Sequence, residues 1–200
     1  MVSDSLLSVR LPDCPPAAQL LANISGVMIN TDYILDYARP QPPTFLNVGG
    51  IQIREKPGDL PDSLLNFIET AEDGVILFTM GFIFKSKVCH PQTVSTTTES
   101  VLQAVPRSTV SRLMEVFSRL PQRVIMKLDS DYWREAAPSN VMVVPWVPQQ
   151  AVLAHNNTRL FITHCGMHGV LESIHYAVPL VGMPVFIDQA RDSVRPGRES

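Results

Sequence analysis

The sequence lacks a long basic run, a long apolar run and a paired set of cysteines. Its 200 residues include 16 Lys or Arg against 19 Asp or Glu, which gives a formal net charge of −3. Nucleic-acid binding depends on concentrated positive charge, so this composition argues against a nucleic-acid partner. No stretch of about 18 uncharged apolar residues occurs, and the sequence therefore predicts no membrane span within this chain.

The cysteines are few and widely separated. Cys14, Cys89 and Cys165 are odd in number, and none stands in a CxxC pattern. That spacing disfavours both a disulfide framework and a zinc site, and we interpret the three as structural thiols.

Apolar residues, in contrast, are plentiful and patterned. They make up 45% of the chain, enough to bury a core. Helical spacing predicts helices from Asp62, which would cap its helix, from Ser108, after Pro148 and after a turn at residues 164–169. Short apolar runs typical of buried parallel strands lie at residues 74–80, 124–128, 141–144, 160–163 and 180–183. This alternation predicts an α/β fold, a Rossmann-like parallel sheet with helices on both faces.

Two regions depart from this alternation. Residues 26–31 and 44–53 are short extended segments around a proline-rich turn, which indicates a linker. Residues 85–106 are polar and rich in Thr and Ser, with neither the helical nor the strand period of apolar residues. Loops of that length are unusual in compact domains.

The turn at 164–169 is a candidate phosphate site. Ligands of open α/β sheets bind beyond the carboxyl ends of the strands, where a helix N terminus offers unpaired amides. Gly166 and Gly169 would allow close approach, and His164 and His168 could add donors. The alternative is that His-Cys-Gly is only a tight strand-to-helix turn.

Five further residues could bind a nucleotide-sugar. Glu172 lies roughly 7 to 8 Å along the helix from Met167, a distance that suits a ribose next to a diphosphate. Trp146 follows a strand, where its indole could stack on a base, and Gln149 follows in reach of a sugar. For two of them the alternative is a structural role: Glu172 could be a solvated surface residue, and Trp146 could simply pack in the core. The Asp188-Gln189 pair matches the hydroxyls of a hexose, although any loop could carry such a pair.

Together these motifs closely resemble one known family. WxPQ at Trp146, FITHxGxxG, an ESI helix, a PLVGMP strand and FxDQ are similar to the signature of the UDP-glycosyltransferases, in the animal UDP-glucuronosyltransferase-like branch. Upstream, NISGVMINTD, RPQPPTFLNVGGIQI, GVILFTMG and LPQRVIMKL are similar in order and character to the segments that precede this signature. The resemblance covers most of the chain.

The resemblance implies an architecture of two facing Rossmann-like domains, known as GT-B. Residues 1–50 would be the linker and the end of the preceding domain, 51–189 the UDP-sugar donor-binding domain with a loop or insertion at 85–106, and 190–200 an atypical tail. By resemblance, Trp146 stacks on uracil, Gln149 and Glu172 bind ribose, His164 and the helix amides bind the diphosphate, and Asp188 and Gln189 bind the sugar. Gly81, Cys165, Gly166 and His168 complete the implied donor site.

The implied reaction is the inverting transfer of a hexosyl group from a UDP-sugar to an acceptor hydroxyl, with no metal or other cofactor. The complete enzyme would act on a small lipophilic acceptor, at the lumenal side of the endoplasmic reticulum membrane. The general base, a histidine paired with an aspartate, is expected in the N-terminal domain that precedes these residues. We therefore expect little transferase activity from the isolated chain.

Three positions depart from the family pattern. Phe82 follows Gly81 where the family usually has serine, the usual HGGxN is His164-Cys165-Gly166-Met167-His168, and residues 85–106 form a longer segment than the family's loop. These departures and the missing base leave room for a non-catalytic UDP-sugar-binding module or an inactive paralogue. A UDP-sugar epimerase is a further alternative, but it is not expected to carry WxPQ and FxDQ at this spacing.

Overall fold

A computed structural model describes residues 14–32, 34–36, 40–81 and 107–184, which belong to two compact units that divide after Ile51. The predicted features at 85–106, 188–189 and 190–200, together with Phe82 and Cys89, lie outside the described residues. The boundaries proposed for the domains of the complete protein stay predictions.

The first unit contains one short helix and two short strands. Helix α1 (Ala17–Ala22) precedes β1 (Val27–Ile29) and β2 (Phe45–Asn47), which pair in parallel. Both strands fall inside the predicted extended segments. Helix α1 was not predicted, because its six residues are too few to establish a helical period.

The second unit is a parallel five-stranded sheet. Its strands are β3 (Val75–Thr79), β4 (Arg123–Lys127), β5 (Val141–Val144), β6 (Thr158–Thr163) and β7 (Leu180–Gly182), in the order β5-β4-β3-β6-β7. Its helices are α2 (Asp62–Glu69), α3 (Arg107–Ser118), α4 (Asp131–Ala136), α5 (Gln149–Ala154) and α6 (Met167–His175). This arrangement confirms the predicted Rossmann-like fold.

The core consists of two layers, one on each face of the sheet. All five residues of β3 are buried, and because successive side chains of a strand point to opposite faces, β3 contributes to both layers. Val75 and Leu77 pack with residues of α2 and α5, whereas Ile76 and Phe78 pack with residues of α3 and α4. Helices therefore cover both faces, as a parallel sheet requires.

Local details differ from the sequence predictions at three helices. Asp62 is the first residue of α2, where its carboxylate complements the helix dipole, but the N-cap residue is Pro61 and no side chain caps the helix. The predicted Asp62 cap is therefore wrong. Helix α4 was not predicted, although Ser130 caps it by accepting a hydrogen bond from the Trp133 amide at 3.5 Å. Helix α6 begins at Met167, so Gly169 lies in its first turn and not before it.

The sheet has a switch point between β3 and β6. From β3 the chain continues to β4 and β5 on one side, and then returns to β6 and β7 on the other. In open α/β sheets the crevice outside the carboxyl ends of the strands at such a point is where ligands bind. Gly81 and His164, which follow β3 and β6, lie at this switch point.

Candidate functional site

A cavity of about 830 Å³ lies at this edge of the second unit. That size is within the roughly 300–1,000 Å³ typical of small-molecule sites. Its walls come from residues that follow β3, β5 and β6, from the first turn of α6 and from segment 52–59. Seven sequence-predicted site residues line it: Gly81, Trp146, Gln149, His164, Gly166, His168 and Glu172.

Two glycines enclose the ring of His164. A Cβ atom at Gly81 would lie 2.5 Å from Cε1 of the ring, and one at Gly166 would lie 2.6 Å from Nε2. Gly81 also has a φ of +68°, which glycine adopts without steric cost. Both positions therefore need glycine for the imidazole to occupy its place at the cavity wall.

Cys165 was predicted to belong to the donor site, but it does not line the cavity. Its residue is fully buried, and its Sγ lies 3.9 Å from the carbonyl oxygen of Thr163. Its φ of 63° is in the left-handed region, which is uncommon for a residue with a side chain. Cys165 therefore shapes the site through the backbone turn that leads from β6 into α6.

The first turn of α6 presents its amides to the cavity. Gly166 is the N-cap residue, no side chain caps the helix, and no acidic residue lies in the first turn. Met167, His168 and Gly169 line the cavity. Unpaired N–H groups and the positive end of the dipole favour an anion such as phosphate at this helix end.

Glu172 is buried, with 6% of its surface exposed. Its Oε2 accepts a hydrogen bond from Gln149 Nε2 at 2.6 Å, and its Oε1 accepts one from Gln150 Nε2 at 3.1 Å. The alternative of a solvated surface glutamate is therefore wrong. A buried carboxylate at the wall of a cavity is an acceptor for ligand hydroxyls.

Trp146 is an exposed aromatic residue at the mouth of the cavity. Its indole lines the cavity and 62% of its surface is exposed, whereas Trp133 is buried in the core with 7% exposed. Core packing therefore does not explain Trp146. An exposed ring of this size offers a stacking surface to a planar ligand.

Sequence reasoning missed Lys127, the last residue of β4. Lys127 lines the cavity, and its Nζ donates a hydrogen bond to the Gly81 carbonyl at 3.4 Å. Burial lowers its pKa below the ordinary 10.5 of lysine. The sequence does indicate Lys127, because it is the one charged residue of the apolar run at 124–128 and stands near the carboxyl end of a strand, where ligands bind.

Segment 52–59 was also missed, and no local pattern could have indicated it. Gln52 Nε2 donates to the carbonyl of His168 at 3.3 Å, and the Arg54 amide donates to Gln150 Oε1 at 3.0 Å. Gln150 Nε2 in turn donates to the Gln52 carbonyl at 3.1 Å. These contacts join residues about a hundred positions apart and fix one wall of the cavity.

Two further observations concern the described ranges only. No group of three or more His, Cys, Asp or Glu residues there could hold a metal ion, and the expectation of a metal-free reaction stays a prediction. No helix in the same ranges is long and apolar enough to cross a membrane.

The chain matches known proteins over most of its length. The family described as "UDP-glucoronosyl and UDP-glucosyl transferase" matches residues 13–196. UDP-glucosyltransferase 2 of Dactylopius coccus is 36% identical over 90% of this chain and 31% of its own length. UDP-glucuronosyltransferase 3A2 of Mus musculus is 33% identical over 90% of this chain and 32% of its own length. The chain therefore spans about a third of the length of these relatives.

Solved structures share the fold at lower identity. A UDP-glucosyltransferase from Polygonum tinctorium aligns with a TM-score of 0.58 and 22% identity, over 85% of this chain and 37% of that one. The glycotransferase of kitacinnamycin aligns with a TM-score of 0.55 and 22% identity, over 94% of this chain and 44% of that one. These likenesses establish the architecture.

Proposed function

The chain belongs to the UDP-glucuronosyl and UDP-glucosyl transferase family, and we propose that its second unit binds the UDP-sugar donor for an inverting transfer of a hexosyl group to an acceptor hydroxyl. One observation carries this proposal: an exposed indole, an uncapped helix N terminus and a buried carboxylate line the same cavity. These three groups match a base, a diphosphate and a ribose.

Uridine binds between the end of β5 and helix α6. Uracil stacks on the exposed indole of Trp146, and the ribose hydroxyls donate to Glu172 while Gln149 contacts the same sugar. The Glu172 carboxylate accepts hydrogen bonds from two glutamine amides. A ribose hydroxyl can take up free lone pairs of the carboxylate or replace the Gln149 amide.

The diphosphate binds at the N terminus of α6. The amides of its first turn, the His164 and His168 rings and the Lys127 ammonium surround the part of the cavity that follows β3, β4 and β6. All of these groups are donors or positive, so they stabilise a bound diphosphate. His168 replaces the amide side chain that is usual in the family.

In the transfer step the acceptor oxygen attacks the anomeric carbon of the sugar, and the bond from that carbon to the UDP oxygen breaks. Negative charge grows on the departing UDP, where the helix end and Lys127 stabilise it. The acceptor proton passes to a general base, a histidine paired with an aspartate in the preceding domain of the complete enzyme. By resemblance, Asp188 and Gln189 bind the transferred sugar.

Tryptophan fluorescence tests donor binding directly, because Trp146 and Trp133 are the only two tryptophans. We expect UDP to quench the fluorescence of the exposed Trp146, and we expect Trp133→Phe to retain this quenching. Trp146→Ala should weaken UDP binding by roughly 5- to 150-fold in calorimetry, since stacking on a base contributes about 1–3 kcal/mol.

Absence of UDP binding, or binding indifferent to Trp146→Ala, His164→Ala and Glu172→Ala, would contradict the assignment of the site. The same titration in excess EDTA tests the metal-free proposal. An unchanged dissociation constant is expected there, and a large loss of affinity would overturn that part.

A further inference from the structure

We propose that Gln150 is a positioning residue: it holds the Glu172 carboxylate for the ribose and connects it to the cavity wall at residues 52–54. The inference deepens the proposed function and rests on it. Gln150 lies beside the predicted ribose residue Gln149, but its hydrogen bonds give it a different role.

The amide of Gln150 is held in one orientation. Its Nε2 donates to Glu172 Oε1 and to the Gln52 carbonyl, each at 3.1 Å, while its Oε1 accepts from the Arg54 amide at 3.0 Å. Both N–H groups are therefore used. A flipped amide would place its oxygen against two acceptors and its NH₂ against a donor, so the network itself determines the orientation.

Glu172 depends on this amide because its carboxylate is buried without a cation. Among the described residues no Lys, Arg or His forms an ion pair with it, and the carboxylate accepts its hydrogen bonds from the two glutamine amides. A buried acceptor that lacks a hydrogen-bond partner is costly, so each amide stabilises the buried carboxylate. Loss of one amide frees the carboxylate to rotate away from the position that the ribose requires.

The two glutamines divide this task. The Gln149 side chain makes one hydrogen bond among the described residues, to Glu172 Oε2, so its amide can exchange that bond for a ligand hydroxyl. Gln150 has three contacts with the protein and remains bound to Oε1 when a ligand enters. Gln150 therefore keeps the carboxylate aligned while Gln149 changes partner.

The same amide connects the ribose site to the rest of the cavity. Gln52 accepts from Gln150 through its carbonyl and donates from its side chain to the His168 carbonyl in the first turn of α6. The segment that begins at Gln52 is therefore linked to the Glu172 carboxylate through Gln150, and to the first turn of α6 through the Gln52 side chain. Loss of the Gln150 amide is expected to expose the Arg54 amide to exchange, while the bond from Gln52 to the His168 carbonyl remains and keeps the diphosphate end in place.

The test compares UDP with 2′,3′-dideoxy-UDP, which keeps the base and the diphosphate but has no ribose hydroxyls for Glu172. In the unsubstituted chain we expect UDP to bind more tightly than the dideoxy nucleotide. Gln150→Met, which keeps the side-chain length without the amide, should weaken UDP binding roughly tenfold and leave dideoxy-UDP binding within about twofold. The preference for the ribose hydroxyls should therefore largely disappear.

A matched control is Gln122→Met, because Gln122 is also half-buried but does not line the cavity, and among the described residues it bonds only through its backbone carbonyl, to Asn140. It should leave both affinities unchanged. Hydrogen exchange gives a second readout, since the Arg54 amide should exchange faster in Gln150→Met. Should that variant fail to fold, Gln150→Asn, whose amide falls one methylene short, takes its place.

The outcomes separate this inference from the proposed function. If the unsubstituted chain does not bind UDP, or does not distinguish it from dideoxy-UDP, the ribose assignment itself fails. If it binds and distinguishes them and Gln150→Met does so equally well, the positioning role of Gln150 is overturned while the proposed function stands. An equal loss of affinity for both nucleotides would also overturn it, because that result indicates a merely structural role.

Discussion

At the scale of single residues, the site consists of side chains in environments that are unusual for their type. Glu172 is buried, Trp146 is largely exposed, and Lys127 has its pKa lowered by burial. Each arrangement is unfavourable or neutral for folding alone. Each is explained if the side chain binds a ligand. For Lys127 this explanation can be tested by measuring ligand affinity as a function of pH.

If Lys127 binds the diphosphate as proposed, UDP affinity depends on pH. Burial lowers the pKa of Lys127 from the ordinary 10.5, so the amine loses its proton at a lower pH than a free lysine. A neutral amine does not stabilise the diphosphate, and we expect UDP affinity to fall as the pH rises towards 10.5, at lower pH than an ordinary lysine would cause. Calorimetric titration across this range measures the decline.

Lys127→Arg is the matched variant, because arginine keeps its charge throughout the range. Its UDP affinity should stay nearly constant with pH. If the unsubstituted chain shows no decline, or the arginine variant shows the same one, Lys127 is not a diphosphate residue.

At the scale of elements, the important feature is the turn from β6 into α6. Cys165 takes a left-handed conformation there, and this directs the chain so that the first turn of α6 faces the cavity. Such a conformation at a residue with a side chain costs on the order of 1–3 kcal/mol and is often found at functional sites. Substitutions at Cys165 can therefore raise or lower the conformational cost of this turn.

Cys165→Val should destabilise the turn, because a β-branched residue tolerates positive φ poorly. We expect a loss of about 1–3 kcal/mol in the free energy of unfolding, measured in urea, and weaker UDP binding. Cys165→Gly removes the conformational cost and should retain UDP binding.

Ala177 provides a control, since it also has a positive φ, 54°, but follows the other end of α6 and does not line the cavity. Ala177→Gly should raise stability without a change in UDP affinity. A valine variant with unchanged stability and binding would refute the role assigned to Cys165.

At the scale of the second unit as a whole, the core supports the site through direct packing. Phe161 of β6 is fully buried, and its ring lies beneath Gly169 in the first turn of α6, 3.3 Å from where a Cβ atom would be. Gln149 lies 3.6 Å from the same point. The core layer that contains Phe161 therefore determines how closely α6 and Gln149 approach one another.

Phe161→Ala should lower the free energy of unfolding by about 3–5 kcal/mol, because it leaves a cavity under α6. It should also weaken UDP binding to the folded molecules. Phe117→Ala, in the layer on the opposite face, should cost a similar amount of stability but leave that affinity unchanged. Urea unfolding and calorimetry measure the two effects separately, and equal effects on binding would contradict the proposed coupling.

Much of the second unit was predictable, because its signals are local. Each of the five strands overlaps a predicted apolar run, and helices α2, α3, α5 and α6 were expected near their observed positions. Helix α4 was not predicted, because its one buried residue, Trp133, establishes no helical period. The Asp62 cap was wrong because Pro61 occupies the N-cap position, so the aspartate lies inside the helix.

By itself, the sequence determined the family, the alternation of strands and helices, and the identity of seven residues around the cavity, because motif spacing and periodicity are properties of neighbouring positions. Only the tertiary structure decided that Glu172 is buried, that Lys127 reaches the Gly81 carbonyl and that Gln150 joins residues 52–54 to the Glu172 carboxylate. The physical reason is the parallel sheet, which brings the ends of strands distant in sequence to one edge. Contacts between residues at that edge cannot be inferred from the local sequence pattern, because the residues lie far apart in the chain.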